Sequence, residues 1–407
     1  MRQPMLIAEW GWAEYRVLAG AAIGVRGREL ERLAEILGPM FAGRPLHLVN
    51  QGRLAIEVAL RIYAERTPPK PEVIVPAYIC PSVLRAVERS GLVPVPVDVR
   101  GDLNLDPEQL AQAITPRTLA VIAAHMYACP AAIEEIERIC FAAGVGLIDD
   151  AAQVLGVSAG GRPLGCFGHF GIASFSEVKS VTAGATNAGG ALIVNDGAFE
   201  RAAHRAVEAL PQGAYRPSDF LAFLEDGPLH RSAAALRYRF DRLRRLFGGS
   251  GKRRPRVCPP SRMSNAAAAV VLQQLESFPS RRAGRIRLAA AYQRVLSGSG
   301  IVMPQYASGR YLTRMMVLLP EPVEMGPLRA ALSRQGLETR QGYALGESNR
   351  KALRSIPDLD RRLLELPNRS SLGDAEVEWI CATLMRTLSK SAAPPRFRSG
   401  PVSASLA

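Results

Sequence analysis

Hydrophobic and polar positions follow two different periods in the first half of the chain. Short β-branched runs are separated by segments with helical spacing, which is typical of an α/β sheet. The predicted strands are VIVP at 73–76, VPVPV at 93–97, LAVIAA at 119–124 and VGLID at 145–149. The predicted helices lie at 53–66, 81–90, 107–113 and 131–143. Asp106 and Pro107 support the third helix, because Asp is a favoured N-cap and Pro suits the first helical position. We therefore predict a large α/β domain over 45–262.

The pattern changes in the second half. Residues 198–260 are charged and irregular, and we interpret them as an excursion from the sheet with a basic insertion near 205–256. A long helix is predicted to begin near Ser264, followed by a second helix through RIRLAAAYQRVL. One strand-like run at 315–319 and helices near 325–335 and 374–388 predict a smaller C-terminal α+β domain. The predicted division is an N-terminal segment at 1–44, the large domain at 45–262, long helices with the small domain at 263–388, and a disordered tail at 389–407.

Composition excludes several classes of protein. With 407 residues, 48% of them hydrophobic, the chain can bury a large core. No apolar run is long enough to span a bilayer, and the first residues lack a signal-peptide pattern, so we expect a cytoplasmic location. The six cysteines show no CxxC spacing and no nearby paired histidines. Neither a disulfide framework nor a metal site is therefore predicted.

The net charge of +14 does not by itself indicate a nucleic-acid partner. Nucleic-acid binding would require basic residues gathered on one recognisable module with interleaved aromatics, and the sequence contains no such module. The strongest concentration of positive charge is the basic segment at 231–256. We interpret this segment as a solvated face. The alternative is contact with an anionic partner, such as a membrane surface or a phosphate-bearing substrate.

Lys179 is the most informative single residue. The chain has 51 basic residues, of which only five are lysine, and Lys179 lies where a hydrophobic run passes into a glycine-rich turn. An amine of adjustable pKa can form a Schiff base, whereas a guanidinium stays protonated. The competing interpretation is an ordinary lysine at a strand end with its ammonium group in water.

Polar residues that directly follow apolar runs are further candidates, because ligands of open α/β sheets bind at the carboxyl ends of strands. Asp149 and Asp150 end one predicted strand, and a carboxylate there could pair with a protonated heterocyclic nitrogen; helix N-capping remains the alternative for one of the two. Ser174 lies near Lys179 and could bind a phosphate, as could the helix that begins at Gly52. Together these residues predict a site for pyridoxal 5'-phosphate.

The segments LIDDAAQVLG, SFSEVKSVTAG and SRMSNAAAAVVLQQL occur in the same order as in the DegT/DnrJ/EryC1/StrS sugar aminotransferase family, which this chain resembles over roughly residues 45–388. The resemblance implies the fold of type I pyridoxal phosphate enzymes, with a mixed, mostly parallel sheet. It also implies a homodimer with a composite active site. By motif, Lys179 resembles the lysine that binds the cofactor aldehyde, and Asp150 the partner of the pyridine nitrogen. The other predicted contacts are Gly52, Arg53, Leu54, Cys80, Gln153 and Ser174 for the cofactor, and Arg262 and Tyr343 for the substrate.

Three positions depart from the family pattern. Arg53 stands where the family usually has Thr, Cys80 where an aromatic usually stacks on the ring, and Pro260 where Asn is common. The expected activity is transfer of an amino group from glutamate or glutamine to a nucleotide-linked keto-sugar, in polysaccharide or secondary-metabolite biosynthesis. The alternatives are a pyridoxal phosphate enzyme of another reaction type or one acting on a cyclic ketone without a nucleotide, and a non-catalytic scaffold that kept the fold.

Overall fold

A seven-stranded sheet forms the centre of the molecule in the computed structural model, which describes residues 3–5, 9–22, 27–66, 69–184, 187–214 and 258–391. The strand order is β1-β9-β8-β5-β4-β2-β3. Only β9 runs against the other six strands, since it pairs antiparallel with both β1 and β8. The remaining neighbours pair in parallel. The strands are β1 (Leu46–Val49), β2 (Glu72–Pro76), β3 (Val93–Val97), β4 (Thr118–Ala124), β5 (Gly146–Asp150), β8 (Phe170–Ser174) and β9 (Gly190–Val194), and a small hairpin adds β6 (Ser158–Ala159) and β7 (Arg162–Pro163).

The helices cover both faces of this sheet and continue into a C-terminal part. They are α1 (Trp12–Ala22), α2 (Glu29–Met40), α3 (Gly52–Arg66), α4 (Pro81–Arg89), α5 (Pro107–Ala113), α6 (Ile133–Ala142), α7 (Glu200–Glu208), α8 (Asn265–Leu296), α9 (Met325–Arg334), α10 (Glu347–Ala352), α11 (Leu359–Arg362) and α12 (Asp374–Ser391). The four helices and four strands predicted in the first half are confirmed to within two residues at each end. Asp106 caps α5 as predicted, because its side chain accepts a hydrogen bond from the amide of Glu108.

Successive residues of the central strands face opposite sides of the sheet, so each strand contributes to two cores. In β2, Val73 and Val75 pack into the core formed with α3, α4 and α7. Ile74 lies between them in sequence and packs on the other face with α2, α5, α6 and the first half of α8. Because both faces are covered, the central strands are hydrophobic throughout, as parallel strands usually are.

The two helices predicted after Ser264 are a single 32-residue helix, α8, so that prediction was wrong. Ser264 does cap it, with its hydroxyl accepting from the amide of Ala267. Pro279 lies inside the helix and removes one backbone donor. The carbonyl of Gln274, about one turn before the proline, accepts from the Arg281 guanidinium at 2.6 Å and from the Ser277 hydroxyl at 3.2 Å. These side-chain donors, together with packing against α1, α2 and α12, hold the helix through the proline.

The C-terminal part contains three strands where the sequence analysis predicted one. They are β10 (Met315–Leu318), β11 (Arg340–Gln341) and β12 (Leu363–Leu366), and they form an antiparallel sheet in the order β10-β12-β11. This sheet packs with α9, α12 and the second half of α8 around a separate core. β11 is only two residues long, too short to produce a period-two signal in sequence.

Two further predictions concern the polar middle and the ends of the chain. The predicted irregular stretch at 198–260 contains a helix, α7, so its first part is regular. Most of the basic insertion, including the basic segment at 231–256, lies outside the described residues. The predicted disordered tail at 389–407 was wrong for residues 389–391, which end α12, and the rest of it lies outside the described residues. Among the helices of the described residues, none has the length and apolar character that crossing a bilayer demands.

Candidate active site

The carboxyl ends of β4, β5 and β8 lie side by side in the sheet, with the start of α3 beside them. His125 follows β4, Asp149 and Asp150 end β5, and Ser174 ends β8. This is the edge at which open α/β sheets bind ligands. The residues that the sequence analysis selected from separate motifs are therefore brought to one edge by the strand order.

The two adjacent carboxylates have different surroundings. Asp149 is fully buried, and its Oδ2 accepts hydrogen bonds from the amides of Gly165 at 2.6 Å and Phe167 at 3.1 Å. Its Oδ1 lies 2.6 Å from His125 Nε2. The Asp150 carboxylate accepts only one hydrogen bond from the described residues, from the amide of Ala152 at 3.0 Å. Both carboxylate oxygens of Asp149 are therefore used in structural hydrogen bonds, and Asp150 is the carboxylate that can still accept hydrogen bonds from a ligand.

Neither aspartate is a helix N-cap, so that alternative was wrong. The chain after β5 makes a turn at residues 152–153 and does not continue as a helix. Burial raises the pKa of Asp150 from its ordinary value, and the neighbouring charge of Lys179 works in the opposite direction. A buried carboxylate of this kind is stabilised by a cationic partner.

Lys179 lies half-buried in a loop at residues 175–184, called here the lysine loop. The loop is closed at its base by a hydrogen bond from the amide of Ala183 to the carbonyl of Phe175 at 2.7 Å. The residue before the lysine, Val178, has a φ of 60°, which is strained for a β-branched side chain and costs about 1 to 3 kcal/mol. Such strain is found where the surrounding structure fixes a functional group.

The electrostatic surroundings of Lys179 favour its neutral form. Burial lowers the pKa of the amine, and the positive charge of Arg314 lowers it further. Cys80, Asp150 and Glu177 act in the opposite direction, and the pKa stays below the ordinary value for lysine. A partly desolvated amine with a lowered pKa is suited to nucleophilic attack on a carbonyl and to proton transfer. The water-exposed interpretation of Lys179 is therefore not supported.

The start of α3 meets the end of β8 at a position that only glycine fits. A Cβ at Gly52 would lie 2.8 Å from the Cβ of Ser174 and 3.2 Å from the carbonyl oxygen of Ala173. A Cβ at Gly190 would lie 2.6 Å from the backbone nitrogen of Gly52. Ser174 Oγ lies 3.1 Å from Ser176 Oγ, so two hydroxyls stand beside this helix start. Backbone amides at a helix start together with hydroxyls form a suitable cradle for an anion such as phosphate.

Gln153 and Cys80 complete the cofactor side of the site. The Gln153 amide nitrogen donates to the sulfur of Met126 at 3.4 Å, while its Oε1 is buried and has no hydrogen-bond partner among the described residues. An orphaned buried acceptor indicates that a polar group is to be accommodated there. Cys80 Sγ lies 3.1 Å from the hydroxyl of Ser82, at the start of α4.

The structure gives less support to three predicted contacts. Leu54 is 4% exposed in the core, and its amide donates to the carbonyl of Gln51 at 3.1 Å. Arg53 acts electrostatically on Glu57, one turn along α3, where it opposes the rise that burial causes in the carboxyl pKa. Arg262 donates to Glu208 at 2.7 Å, so within one chain its guanidinium is already paired.

The sequence analysis missed most of an aromatic cluster on the other side of the site. Tyr78 and Tyr127, which follow β2 and β4, are fully buried, and their hydroxyls lie 2.6 Å apart. Tyr343, which follows β11, was predicted as a substrate contact; its amide donates to the hydroxyl of Tyr78 at 3.1 Å. Arg314 lies over the rings of Tyr127 and Tyr343. No local sequence signal links these four residues, because they come together only through the tertiary structure.

Comparison with known proteins places these observations in context. The sequence model of the DegT/DnrJ/EryC1/StrS aminotransferase family matches residues 17–385. The 3-amino-5-hydroxybenzoate synthase of Amycolatopsis mediterranei is 38% identical over 154 residues, which are 38% of this chain and 38% of that protein. The dTDP-3-amino-3,4,6-trideoxy-alpha-D-glucose transaminase of Streptomyces venezuelae is 32% identical over 207 residues, 48% of this chain and 53% of that protein. These alignments thus span about half or less of either relative.

The fold as a whole is shared with solved structures. The structure of Helicobacter pylori PseC, an aminotransferase involved in the biosynthesis of pseudoaminic acid, has a TM-score of 0.74 to this chain. The likeness covers 96% of this chain and 100% of that one, at 15% sequence identity. At that identity the likeness is one of fold, and it confirms the predicted type I fold with a mixed, mostly parallel sheet.

Proposed function

Since the chain belongs to the DegT/DnrJ/EryC1/StrS aminotransferase family, we propose that it is a pyridoxal phosphate-dependent aminotransferase acting on a keto-sugar. The observation that carries the proposal is the pairing of a half-buried lysine of lowered pKa with a buried carboxylate that has spare acceptor capacity. These are the two groups that transamination requires at opposite ends of the cofactor ring.

The residues present fit pyridoxal phosphate at four points. The Lys179 amine suits the aldehyde, and the free oxygen of Asp150 suits the protonated ring nitrogen. The orphaned Oε1 of Gln153 suits the ring hydroxyl. The close approach of Gly52 to Ser174, which a Cβ would fill, suits the phosphate. When bound, the cofactor supplies an electron sink for the carbanion that forms at the amino donor.

The protein's own groups have distinct tasks in this proposal. Asp150 would hold the ring nitrogen in its protonated form, and this positive charge would stabilise a carboxylate whose pKa burial raises in the cofactor-free protein. Lys179 Nζ would accept the proton from the α-carbon of the amino donor and hold it for return, since a lowered pKa leaves the amine neutral at lower pH than an ordinary lysine. Tyr343 faces the substrate, and Arg314 stacks on its ring.

The amino donor we propose is glutamate or glutamine, and the acceptor a nucleotide-linked keto-sugar. The Streptomyces relative, which is named as a transaminase of a dTDP-sugar, supports that acceptor. The Amycolatopsis relative, named for 3-amino-5-hydroxybenzoate, supports the alternative of a cyclic ketone without a nucleotide. Both acceptors require the same chemistry at Lys179.

We further propose a cytoplasmic homodimer in which Arg262 of one subunit contributes to the site of the other. In that case the pairing of Arg262 with Glu208 would be the arrangement in a single chain. A variant with Arg262→Ala should then weaken acceptor binding in the dimer, whereas Glu208→Ala should leave it unchanged. Equal effects of the two changes would contradict the composite site.

The test of the proposed function is a pair of half-reactions. Purified protein is loaded with pyridoxal phosphate and mixed with L-glutamate or L-glutamine, and loss of the visible cofactor band is followed. Candidate keto-sugar nucleotides and cyclic ketones are then screened for recovery of the band, with products identified by mass spectrometry. If the protein binds the cofactor but neither amino donor changes its visible band, another reaction type is favoured. If the protein does not bind the cofactor at all, the scaffold is favoured. Lys179→Ala is the control that should show no visible band.

A further inference from the structure

Arg314 lies just before β10 and is 8% exposed. Its guanidinium carbon lies 5.1 Å from the ring centre of Tyr127 and 5.2 Å from that of Tyr343, so it stacks on both rings. It also pairs with Glu365 in β12, which is 2% exposed. Arg314 thereby joins the C-terminal sheet to an aromatic ring that follows β4.

The rings under Arg314 are fixed from the other side by the central sheet. The hydroxyls of Tyr78 and Tyr127 lie 2.6 Å apart, and the amide of Tyr343 donates to the Tyr78 hydroxyl. Tyr127 has a φ of 57°, an uncommon value for a large side chain, and its carbonyl accepts from the amide of Thr313 at 3.2 Å. The arginine and the three tyrosines thus form one packed unit that spans the two sheets.

A buried ion pair is not needed for stability at such a place, since well-packed hydrophobic residues often serve as well or better. The Nε of Arg314 even lacks a hydrogen-bond partner among the described residues, which adds to the cost of burying the guanidinium. A methionine could fill a similar volume without these costs. The presence of a charged, planar group beside the site therefore calls for a functional reason.

Arg314 is also among the charged or titratable groups that influence Lys179. The others are Cys80 before α4, Asp150 at the end of β5 and Glu177 in the lysine loop itself. Among these four groups, Arg314 alone carries positive charge. It is also the group that the C-terminal sheet contributes.

We propose that Arg314 is a positioning residue, which holds the half-buried Tyr343 ring against the buried Tyr127 ring so that Tyr343 faces the substrate, and whose fixed positive charge acts on Lys179. Glu365 is its anchor, because the pair keeps the guanidinium on the two rings. Arginine suits both tasks, since it is planar, always charged and able to stack, whereas lysine keeps only the charge. The inference rests on the proposed function for the role of Lys179.

The first test reads Lys179 in the cofactor-free, full-length protein and does not depend on any activity. Acetylation by acetic anhydride is measured at Lys179 over a range of pH by peptide mass mapping, with exposed Lys351 as the internal reference. In Arg314→Met combined with Glu365→Gln, the pH midpoint for Lys179 should move upward, because a neighbouring positive charge has been removed. At a pH below the midpoint, labelling should fall by about threefold or more relative to Lys351.

Two further variants separate charge from structure. Arg314→Lys should restore the wild-type midpoint because it restores the charge. Arg310→Met removes another arginine of the same loop, which contacts Cys129 and Gln305, and should leave the midpoint unchanged. An unchanged midpoint in the folded double variant would overturn the proposal, as would an equal shift in Arg310→Met.

If the double variant does not fold, Arg314→Lys decides alone. Loss of the planar stack should raise the KM for the acceptor by about tenfold while kcat changes by less than about threefold. An unchanged KM in this variant would overturn the positioning role. If wild-type protein shows no transaminase activity, the proposed function fails, whereas the labelling result still judges the inference about Arg314.

Discussion

The adjacent aspartates at the end of β5 offer a matched pair of substitutions with opposite expected effects. Asp149→Asn should destabilise the fold, whereas Asp150→Asn should leave the fold intact and damage the site. Both side chains are buried, at 0% and 6% exposure, and they are neighbours on one strand. A difference in stability between the two variants therefore reflects the hydrogen-bond partners of each carboxylate and not its depth of burial.

The cost of Asp149→Asn can be worked out from its hydrogen bonds. The carboxylate accepts from the amides of Gly165 and Phe167 and from His125. The amide of Ala131 donates to Nδ1 of His125 at 3.0 Å, so Nε2 carries the proton that faces Asp149. An asparagine has one acceptor oxygen, and its amide NH2 group would face either the N–H of His125 or the amides of Gly165 and Phe167. The lost charged hydrogen bonds and one unsatisfied donor together cost about 2 to 4 kcal/mol.

Asp150→Asn should act in the opposite direction on stability. Burial raises the pKa of Asp150, so the folded, cofactor-free protein binds this proton more readily than the unfolded chain. The charged form therefore costs stability above the folded pKa, and the cost disappears as the pH falls below the ordinary carboxyl value. Asparagine retains the acceptor for the amide of Ala152. At neutral pH the variant should be at least as stable as wild type, while kcat falls on the order of a hundredfold or more.

The assay is urea unfolding of both cofactor-free variants at neutral pH and again in mild acid, followed by circular dichroism. Cofactor affinity and half-reaction rates are measured on the same preparations. The reasoning would be refuted if Asp150→Asn lost as much stability as Asp149→Asn. It would be refuted equally if Asp149→Asn unfolded at the wild-type urea concentration.

Two other predictions follow from close contacts around the site. Gly52→Ala should weaken binding of pyridoxal phosphate by at least about tenfold, because its Cβ would press on Ser174 and the Ala173 carbonyl at an overpacking cost of about 1 to 3 kcal/mol. Gly38→Ala in α2, where a Cβ meets nothing within 4 Å, should leave the cofactor affinity unchanged and the stability of the fold unchanged or higher. Tyr311→Phe should lower the free energy of unfolding by about 1 to 3 kcal/mol, since the buried hydroxyl accepts from the amide of Leu155 at 2.8 Å and contacts the Ser180 hydroxyl in the lysine loop at 2.9 Å. If Tyr311→Phe unfolded at the same temperature as wild type, the lysine loop would not depend on this hydrogen bond.

The cofactor side of the site could be predicted from sequence because its residues lie at strand ends and in short motifs. Asp150 and Ser174 directly follow apolar runs, and Gly52 opens a helix, so local pattern and the strand-end rule were sufficient to select them. The strand-end pattern alone did not distinguish Asp149 from Asp150, and only the resemblance to the family selected Asp150. That distinction depends on the amides of Gly165 and Phe167, which reach Asp149 through the hairpin of β6 and β7.

The substrate side could not be predicted in the same way. Arg314, Tyr127 and Glu365 are separated by many residues and meet only when the C-terminal sheet docks on the central one. The continuous helix through Pro279 was also missed, because proline normally ends a helix. Tertiary packing holds the helix there, and the Arg281 side chain bonds to the turn before the proline; neither leaves a periodic signal.

The central claim is that Lys179 forms a covalent bond with the aldehyde of pyridoxal phosphate. The direct measurement is reduction of the loaded protein with borohydride, proteolysis and mass mapping of the peptide that carries the added cofactor mass. We predict modification at Lys179 in a stoichiometry of about one per chain, with none at the exposed Lys351 and none at position 179 in Lys179→Arg. A cofactor mass spread over the other lysines, or an unmodified Lys179 peptide in protein that retains its visible band, would contradict the account.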